Sequence, residues 1–468
     1  MPGPADPVVL YHDFVQPPAD LVSEDELARR WSELEWQTWW YAGAFGTAFR
    51  ATNGAVVEVL SPGLWNHEAG PDFTNVVIRV DGKEETLRGD MEFDRSALDW
   101  ERHGHGVNER FNHVVLHVFV RPPGCVFFTR TADHREVLQV HLQAPAPEHP
   151  AILPGGHRAK PGACRAPLAQ MTQTQIEGVL EIAARVRLER KGRLLQRSIK
   201  VHGFAEALFQ QVAMALGYKE NKLPFLLLAQ RASLRLLRQQ PAAAEAILFG
   251  LSGFLEQAAQ PGGAAPTASA HLKKLWSAWW GLRGELCHFV LSPEQWRLTS
   301  TRPSNHPQRR LGALSVLASR WPELQGLPSD LPAVRRFFHR LSHPFWDHHY
   351  TLQSAPSARS IHLIGSARIA DLLANVFVPL MWISGQVDWA VVKRLPAELD
   401  NGRLELTRQR LFGERAEPNF AARYLYQQQG LLQVAEDFCN ANGHDCSLCR
   451  FPAYLSALDP SYPAAEAE

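Results

Sequence analysis

The chain has 468 residues, is 45% hydrophobic and 21% charged, and balances 48 Lys and Arg against 48 Asp and Glu. That length suits two or three domains, and the composition is that of an ordinary soluble globular protein. No apolar run approaches the roughly 20 residues of a membrane span, the first residues lack the basic and apolar regions of an export signal, and six cysteines in so long a chain make no disulfide framework. A cytoplasmic protein with no membrane segment is expected.

In chain order, residues 1–22 read as irregular, and Ser23 with Glu26 gives a capping-box start to a helix running to about Tyr41. That helix carries Trp31, Trp36, Trp39 and Trp40, a packing face. Residues 55–60, 73–80 and 86–93 read as a meander of three strands, with Asn53-Gly54 and Asp81-Gly82 as hairpin turns. A short helix over 96–111 with a glycine break follows, then strands at 113–120 and 136–142. Prolines and glycines crowd residues 144–168 and mark a boundary. Beyond about Thr172 the pattern is helical, with segments near 176–195, 204–216, 224–239, 242–257, 270–284, 309–320, 330–341, 366–384 and 417–437. The basic run Arg185, Arg187, Arg190, Lys191 and Arg193 reads as a solvated helix face. The expected architecture is an α+β domain over 1–160 with a small mixed sheet in the order helix, three strands, helix, strand. A larger all-α domain over 165–435 follows, then a cysteine-rich segment over 436–455.

Carboxylates concentrate where the meander turns back. On a strand over 86–93, Asp90, Glu92 and Asp94 share one face, and a turn at Asp81-Gly82 brings Asp72 within a rung or two of Glu92. Carboxylates two residues apart on one face stand roughly 6–7 Å from each other. Like charges so close raise one another's pKa or take a cation. Oxygen ligands suit Mg²⁺ or Mn²⁺, and added histidines suit Mn²⁺, Zn²⁺ or Fe²⁺. His103, His105, His113 and His117 lie nearby in sequence. His103 and His105 flank Gly104 and can turn together toward the carboxylates; His105 and His117 are the first choices as ligands. The plain alternative is an acidic, solvated edge strand with satisfied core histidines.

Near the C-terminus Cys439, Cys446 and Cys449 form a C-x6-C-x2-C array. Such spacing in a cytosolic chain points to Zn²⁺ or an Fe–S cluster, or else to buried free thiols. Cys164 or His444 is a candidate fourth ligand. The turn Arg302 to Arg310 reads either as arginine forks for phosphate or as a rigid loop capped by Asn305. Residues 1–163 hold 14 Lys and Arg against 23 Asp and Glu, which leaves 34 against 25 for the remainder. An acidic catalytic part beside a basic helical part fits a polyanion such as DNA.

Two resemblances join these readings. Trp65-Asn66 with Ala69-Gly70-Pro71-Asp72-Phe73, Gly89-Asp90-Met91-Glu92, His103-Gly104-His105, Leu116-His117-Val118, Arg302 to Pro307, Gly365 to Ile369, Ala374-Asn375-Val376 and the closing cysteines are similar to the bacterial family called domain of unknown function 2851, over nearly the whole chain. That family implies no activity. More distantly, the order of elements with Pro71-Asp72 and Glu92 resembles the PD-(D/E)xK, restriction-endonuclease-like nucleases, whose two acids bind Mg²⁺ that activates water. The lysine of that motif is Asp94 here. The resemblance then implies a cation from Lys83, Arg88 or Arg95, a histidine-containing metal site, or a dead domain. The spacing of the closing cysteines also resembles the Fe–S loop of some DNA-repair glycosylases, with Leu455 where the fourth cysteine stands.

The expectation is a metal-dependent nuclease with Asp72, Glu92 and Asp94 as catalytic acids. Asp72, Glu92, His105 and His117 hold Mg²⁺ or Mn²⁺, and Cys164, Cys439, Cys446 and Cys449 hold Zn²⁺ or an Fe–S cluster. The alternatives are a non-catalytic nucleic-acid-binding or assembly scaffold and a metallohydrolase of a small molecule.

Overall fold

A computed structural model describes residues 6–15, 33–41 and 43–458, less 44, 67–69, 125–126, 143–161, 219–220, 259–265, 299–302, 328–329, 398–401, 414–421, 441–445 and 447–448. The expected capping box at Ser23 and Glu26, Trp31, most of the proline-rich boundary and His444 lie outside the described residues.

Seven strands form one mixed sheet: β1 (Ala48–Arg50), β2 (Val56–Ser61), β3 (Leu64–Trp65), β4 (Phe73–Val80), β5 (Thr86–Ser96), β6 (Val114–Arg121) and β7 (Leu138–His141). Their order is β1-β2-β4-β5-β6-β7, with β3 paired to β4. β2, β4 and β5 are antiparallel neighbours, while β5, β6 and β7 run parallel. The Asp81-Gly82 turn is where the spacing predicts it, both residues taking positive φ of 51° and 68°, as a primed hairpin turn demands. Alternation on β5 sends Met91 and Phe93 into a core with Trp36 and Trp40 of the helix Glu33–Tyr41. The tryptophan stripe is thus a packing face. Glu92 and Asp94 take the opposite face.

The expected helix over 96–111 is shorter than read. β5 continues to Ser96, and only Asp99–Arg102 is α-helical, followed by two 3₁₀ turns at His105–Val107 and Glu109–Phe111. Gly104 sits between them at φ 74°, a left-handed turn that ends the helix. The chain's opening is also more regular than its prolines suggest. Pro7–Val15 is a helix, with Pro7 in the first turn, where its missing N–H costs nothing, and Asp6 accepting from the Val8 amide. Its Tyr11 hydroxyl donates to Asp437 Oδ2 at 3.1 Å, so this helix joins the core of the C-terminal helices.

The remainder is helical, as expected, and organised on the 30-residue helix Gln173–His202. Three residues of the basic run on that helix depart from a solvated face, while Arg193 is exposed as expected. Arg187 donates to Gln429, Gln433 and Glu436, Arg190 to Asp437, and Lys191 to Asn375 and Gln429. These groups form a polar seam with the helix Leu425–Val434 and the turn after it. Ser366–Ile383 is apolar and long enough to cross a membrane, but most of it is buried within the fold, as a core helix is.

Candidate metal centre

The acids and histidines of the N-terminal half meet on the face of β5 away from the tryptophans. Phe73 pairs with Met91, so Asp72 stands opposite Glu92; Glu92 pairs with His117, and His117 with Gln139. One row of polar side chains therefore crosses four strands. Local chain geometry fixes Asp72: the Asn66 amide hydrogen-bonds the Asp72 carbonyl at 2.7 Å, and the Asn66 side chain donates to the Pro71 carbonyl at 2.9 Å. The Asp72 amide then donates to Glu92 Oε2 at 3.0 Å, and the Phe93 amide to Asp72 Oδ2 at 2.9 Å. Each acid is thus held by the other's strand.

Asp94 is the hub. Its Oδ1 lies 3.2 Å from His103 Nδ1 and its Oδ2 3.2 Å from His117 Nε2, while His105 Nε2 lies 3.1 Å from Glu92 Oε1. Gly104 allows the reversal that turns both His103 and His105 toward the acids. Trp100 and Phe111 wall the imidazoles, with ring centroids 5.4 Å from Trp100 to His105, 5.2 Å to His117 and 4.0 Å from Phe111 to His105. Behind His117, Nδ1 meets Thr129 Oγ1 at 2.7 Å, and Gln139 donates to the same hydroxyl at 2.8 Å. This anchor fixes the ring and leaves Nε2 facing the acids.

Asp90 does not share this grouping. The register against β4 shifts between Phe73 and Val76, Asn75 takes φ 58°, and its amide donates to Asp90 Oδ1. The bulge gives Asp90 the Asn75 amide as its partner in place of the other acids. His113 is exposed at the entrance of β6, away from the group.

The electrostatics are those of acids crowded without a cation. Burial, then Glu92, raises Asp72 well above the usual carboxylate range. Burial, then Asp94, pushes Glu92 up to about 9. Burial lowers His105 and His117, so both imidazoles are held neutral, the form that ligates metal. Glu33, at the start of the tryptophan helix, is raised by burial and then by Asp94, which places a further acid beside the group. Neither Glu33 nor Thr129 lies in a motif, and only the folded sheet brings them near. His103, the expected companion of His105, stands against Asp94.

The donor set fits a divalent cation. Ligand atoms of Asp94, His103 and His105 all lie within 4.8 Å of one another. His117 Nε2 and Asp94 Oδ2, and His105 Nε2 and Glu92 Oε1, stand against each other at 3.2 and 3.1 Å, so imidazole nitrogens and carboxylate oxygens converge on one buried spot. Mixed carboxylate oxygen and imidazole nitrogen suits Mn²⁺ or Zn²⁺ better than Mg²⁺.

The other candidate residues divide. Cys164, Cys439, Cys446 and Cys449, remote in sequence, line one small cavity. The Cys164 thiol is pushed up to about 12, first by burial and then by the other three cysteines. Arg309 and Arg310 do not present forks to phosphate. Arg309 is fully buried and donates to the carbonyls of Trp346, His349, Ile361 and His362; Arg310 donates to Leu363 and Asn305. The turn is tied to the interior as a loop would be, but His306, not Asn305, caps the helix Pro307–Ser319, and Arg302 lies outside the described residues.

Sheet and side chains together define an α+β protein carrying a buried carboxylate–histidine group, continued by a long helical part. The chain belongs to the family described as "Protein of unknown function (DUF2851)", whose profile matches residues 34–392. No curated protein and no solved structure matches it. The matched residues include every acid and histidine of the group and stop short of the three C-terminal cysteines.

Proposed function

We propose that this protein is a metal-dependent hydrolase of phosphodiesters, acting on nucleic acid. The observation that carries the reading is the facing pair Asp72 and Glu92 on β4 and β5, with Asp94 and three histidines at hydrogen-bond distance around it. The order of helix, antiparallel strands, helix and parallel strand along the chain is the one the nuclease resemblance implies.

Asp94, His103 and His105, whose ligand atoms lie within 4.8 Å of one another, would hold the cation, with Glu92 beside His105 and His117 beside Asp94. A bound Mn²⁺ or Zn²⁺ would supply an activated water and offset charge developing on phosphate. The protein's own groups do the remainder. Carboxylates raised this far by burial would give up their protons to solvent when a cation binds beside them. The sheet's backbone amides hold Asp72 and Glu92 in place beforehand, which removes reorganisation from the reaction. His103 is about half exposed, with Nδ1 on Asp94. Its Nε2 is the group placed to exchange a proton with solvent, a task that Asp94 in the lysine position cannot do alone.

The test is Mn²⁺-dependent cleavage of single- and double-stranded DNA by the full chain. Asp72→Asn and Glu92→Gln should each lower cleavage by at least about 10²-fold, with the far-ultraviolet circular dichroism unchanged. Retained cleavage in both variants, or none by the parent with Mn²⁺, Zn²⁺ or Mg²⁺, ends this reading. The burial of Asp94 and His117, 1% and 0% exposed in the side chain, favours one second reading, a small phosphoester entering a closed pocket. Hydrolysis of a nucleotide or model diester without polymer cleavage would select it.

A further inference from the structure

We propose that Cys164, Cys439, Cys446 and Cys449 hold an iron–sulfur cluster that ties the C-terminal segment to the head of the helical part. All four cysteines line the same small cavity. Cys164 comes from the turn entering Arg165–Gln170, Cys439 from the π-turn after Leu425–Val434, and Cys446 and Cys449 from the connection to Phe451–Ala457. Sequence spacing places the last three together, but only the tertiary structure delivers Cys164.

Three features separate this cavity from ordinary packing of buried thiols. First, Arg410 Nη2 donates to Cys446 Sγ at 3.2 Å, a charged donor aimed at sulfur. A guanidinium stabilises a thiolate far more than a thiol. Second, four thiolates around a metal centre leave net negative charge, which Arg410 offsets. Third, the sulfurs are too widely spread for one zinc ion. Four sulfurs at about 2.3 Å from a single tetrahedral ion lie roughly 3.8 Å apart. Among the described residues, which include all four cysteines, no three of these sulfurs lie within 4.8 Å of one another; only Asp94, His103 and His105 meet that condition. A cluster binds each sulfur to its own iron, or two to each of two irons, and so spans a wider opening. On ligation each thiol gives its proton to solvent and its sulfur bonds to iron, with no change of oxidation state required of the protein.

The surroundings indicate a structural role. Phe438, Phe451 and Tyr454 pack together beside the cavity, and Tyr11 joins them edge-on at 5.2 Å from Tyr454. The Gly162 amide donates to the Arg410 carbonyl at 3.0 Å, so the strand of chain leading to Cys164 is tied to the helix bearing Arg410. The cluster would join elements from both ends of the chain, at a distance from the carboxylate–histidine group in sequence and on different elements.

The experiment is anaerobic purification of the full chain, with iron, acid-labile sulfide and zinc measured per chain beside the visible spectrum. Iron and sulfide in matching amounts are expected, with a broad visible absorption that bleaches under dithionite. Cys287→Ser, at an exposed cysteine outside the cavity, should keep the iron. Cys446→Ser and Cys164→Ser should lose it to background and shift tryptic cleavage toward residues 436–458. Mössbauer spectra of the unmodified protein decide the matter even if those variants fold poorly. Stoichiometric zinc in place of iron, no metal at all, or iron retained in Cys446→Ser overturns the proposal. None of these outcomes depends on whether the protein cuts phosphodiesters.

Discussion

Glu92 binds its proton far more tightly in the fold than in an unfolded chain, near 9 against an ordinary value of about 4.5. Asp72 is raised in the same direction. A raised carboxylate contributes stability that is complete below its unfolded pKa and is lost as pH climbs through the folded one. His105 and His117 are lowered, so their contribution is complete above about 6.5 and is lost as pH falls. Between pH 6.5 and 9 only the carboxylates act, and the metal-free protein should lose stability steadily across that window. Urea midpoints in chelator at pH 6.5, 7.5 and 9 measure this. Glu92→Gln, which cannot ionise, should flatten the decline, and Mn²⁺ should reverse it because the cation binds the deprotonated acids. A midpoint independent of pH in the parent protein would mean that these acids are not crowded in solution.

At the level of elements, the helices Gln173–His202 and Leu425–Val434 approach so closely that a Cβ at Gly430 would stand 2.2 Å from the Leu180 carbonyl oxygen. No neighbour there is a flexible side-chain tip, so the helices must part to admit even a methyl group. Gly430→Ala should destabilise the protein by about 1–3 kcal/mol, read from its urea midpoint. The shift should also weaken the seam in which Arg187 meets Gln429, Gln433 and Glu436. Helical periodicity marks both helices, yet the contact between them is invisible in either alone. The same limit applies to the basic run, where the periodicity gives the face and the partner decides whether water or protein covers it.

For the molecule as a whole, the uneven charge of the two halves keeps its sign but changes its meaning. Several cations of the basic half serve the interior. Arg309 donates to four carbonyls, of which those of Trp346 and His349 belong to buried residues, and each carbonyl abandoned in the interior costs roughly 1–3 kcal/mol. Arg309→Gln should therefore cost at least about 3 kcal/mol by the same reckoning, or prevent folding at 37 °C. At permissive temperature the variant should leave the salt dependence of any DNA affinity unchanged, since a phosphate contact would change that slope by about one. A reduced slope would return Arg309 to a polyanion surface.

Sequence by itself determined the alternation on β5 and the turn at Asp81-Gly82, which follow local rules; the meeting of Asp72 with Glu92 also needed the five-residue connection between Val80 and Thr86 and the register shift between Phe73 and Val76. Sequence likewise determined the helical character of the second part and the grouping of the last three cysteines. Tertiary structure alone decided that Asp94 gathers His103 and His117, that Asp90 turns away on a bulge, that Glu33 stands beside the acids and that Cys164 reaches the C-terminal trio. Those outcomes depend on parallel pairing across a crossover and, for Cys164, on contacts between residues hundreds of positions apart. Such contacts are fixed by how whole faces bury against each other, which no short stretch encodes.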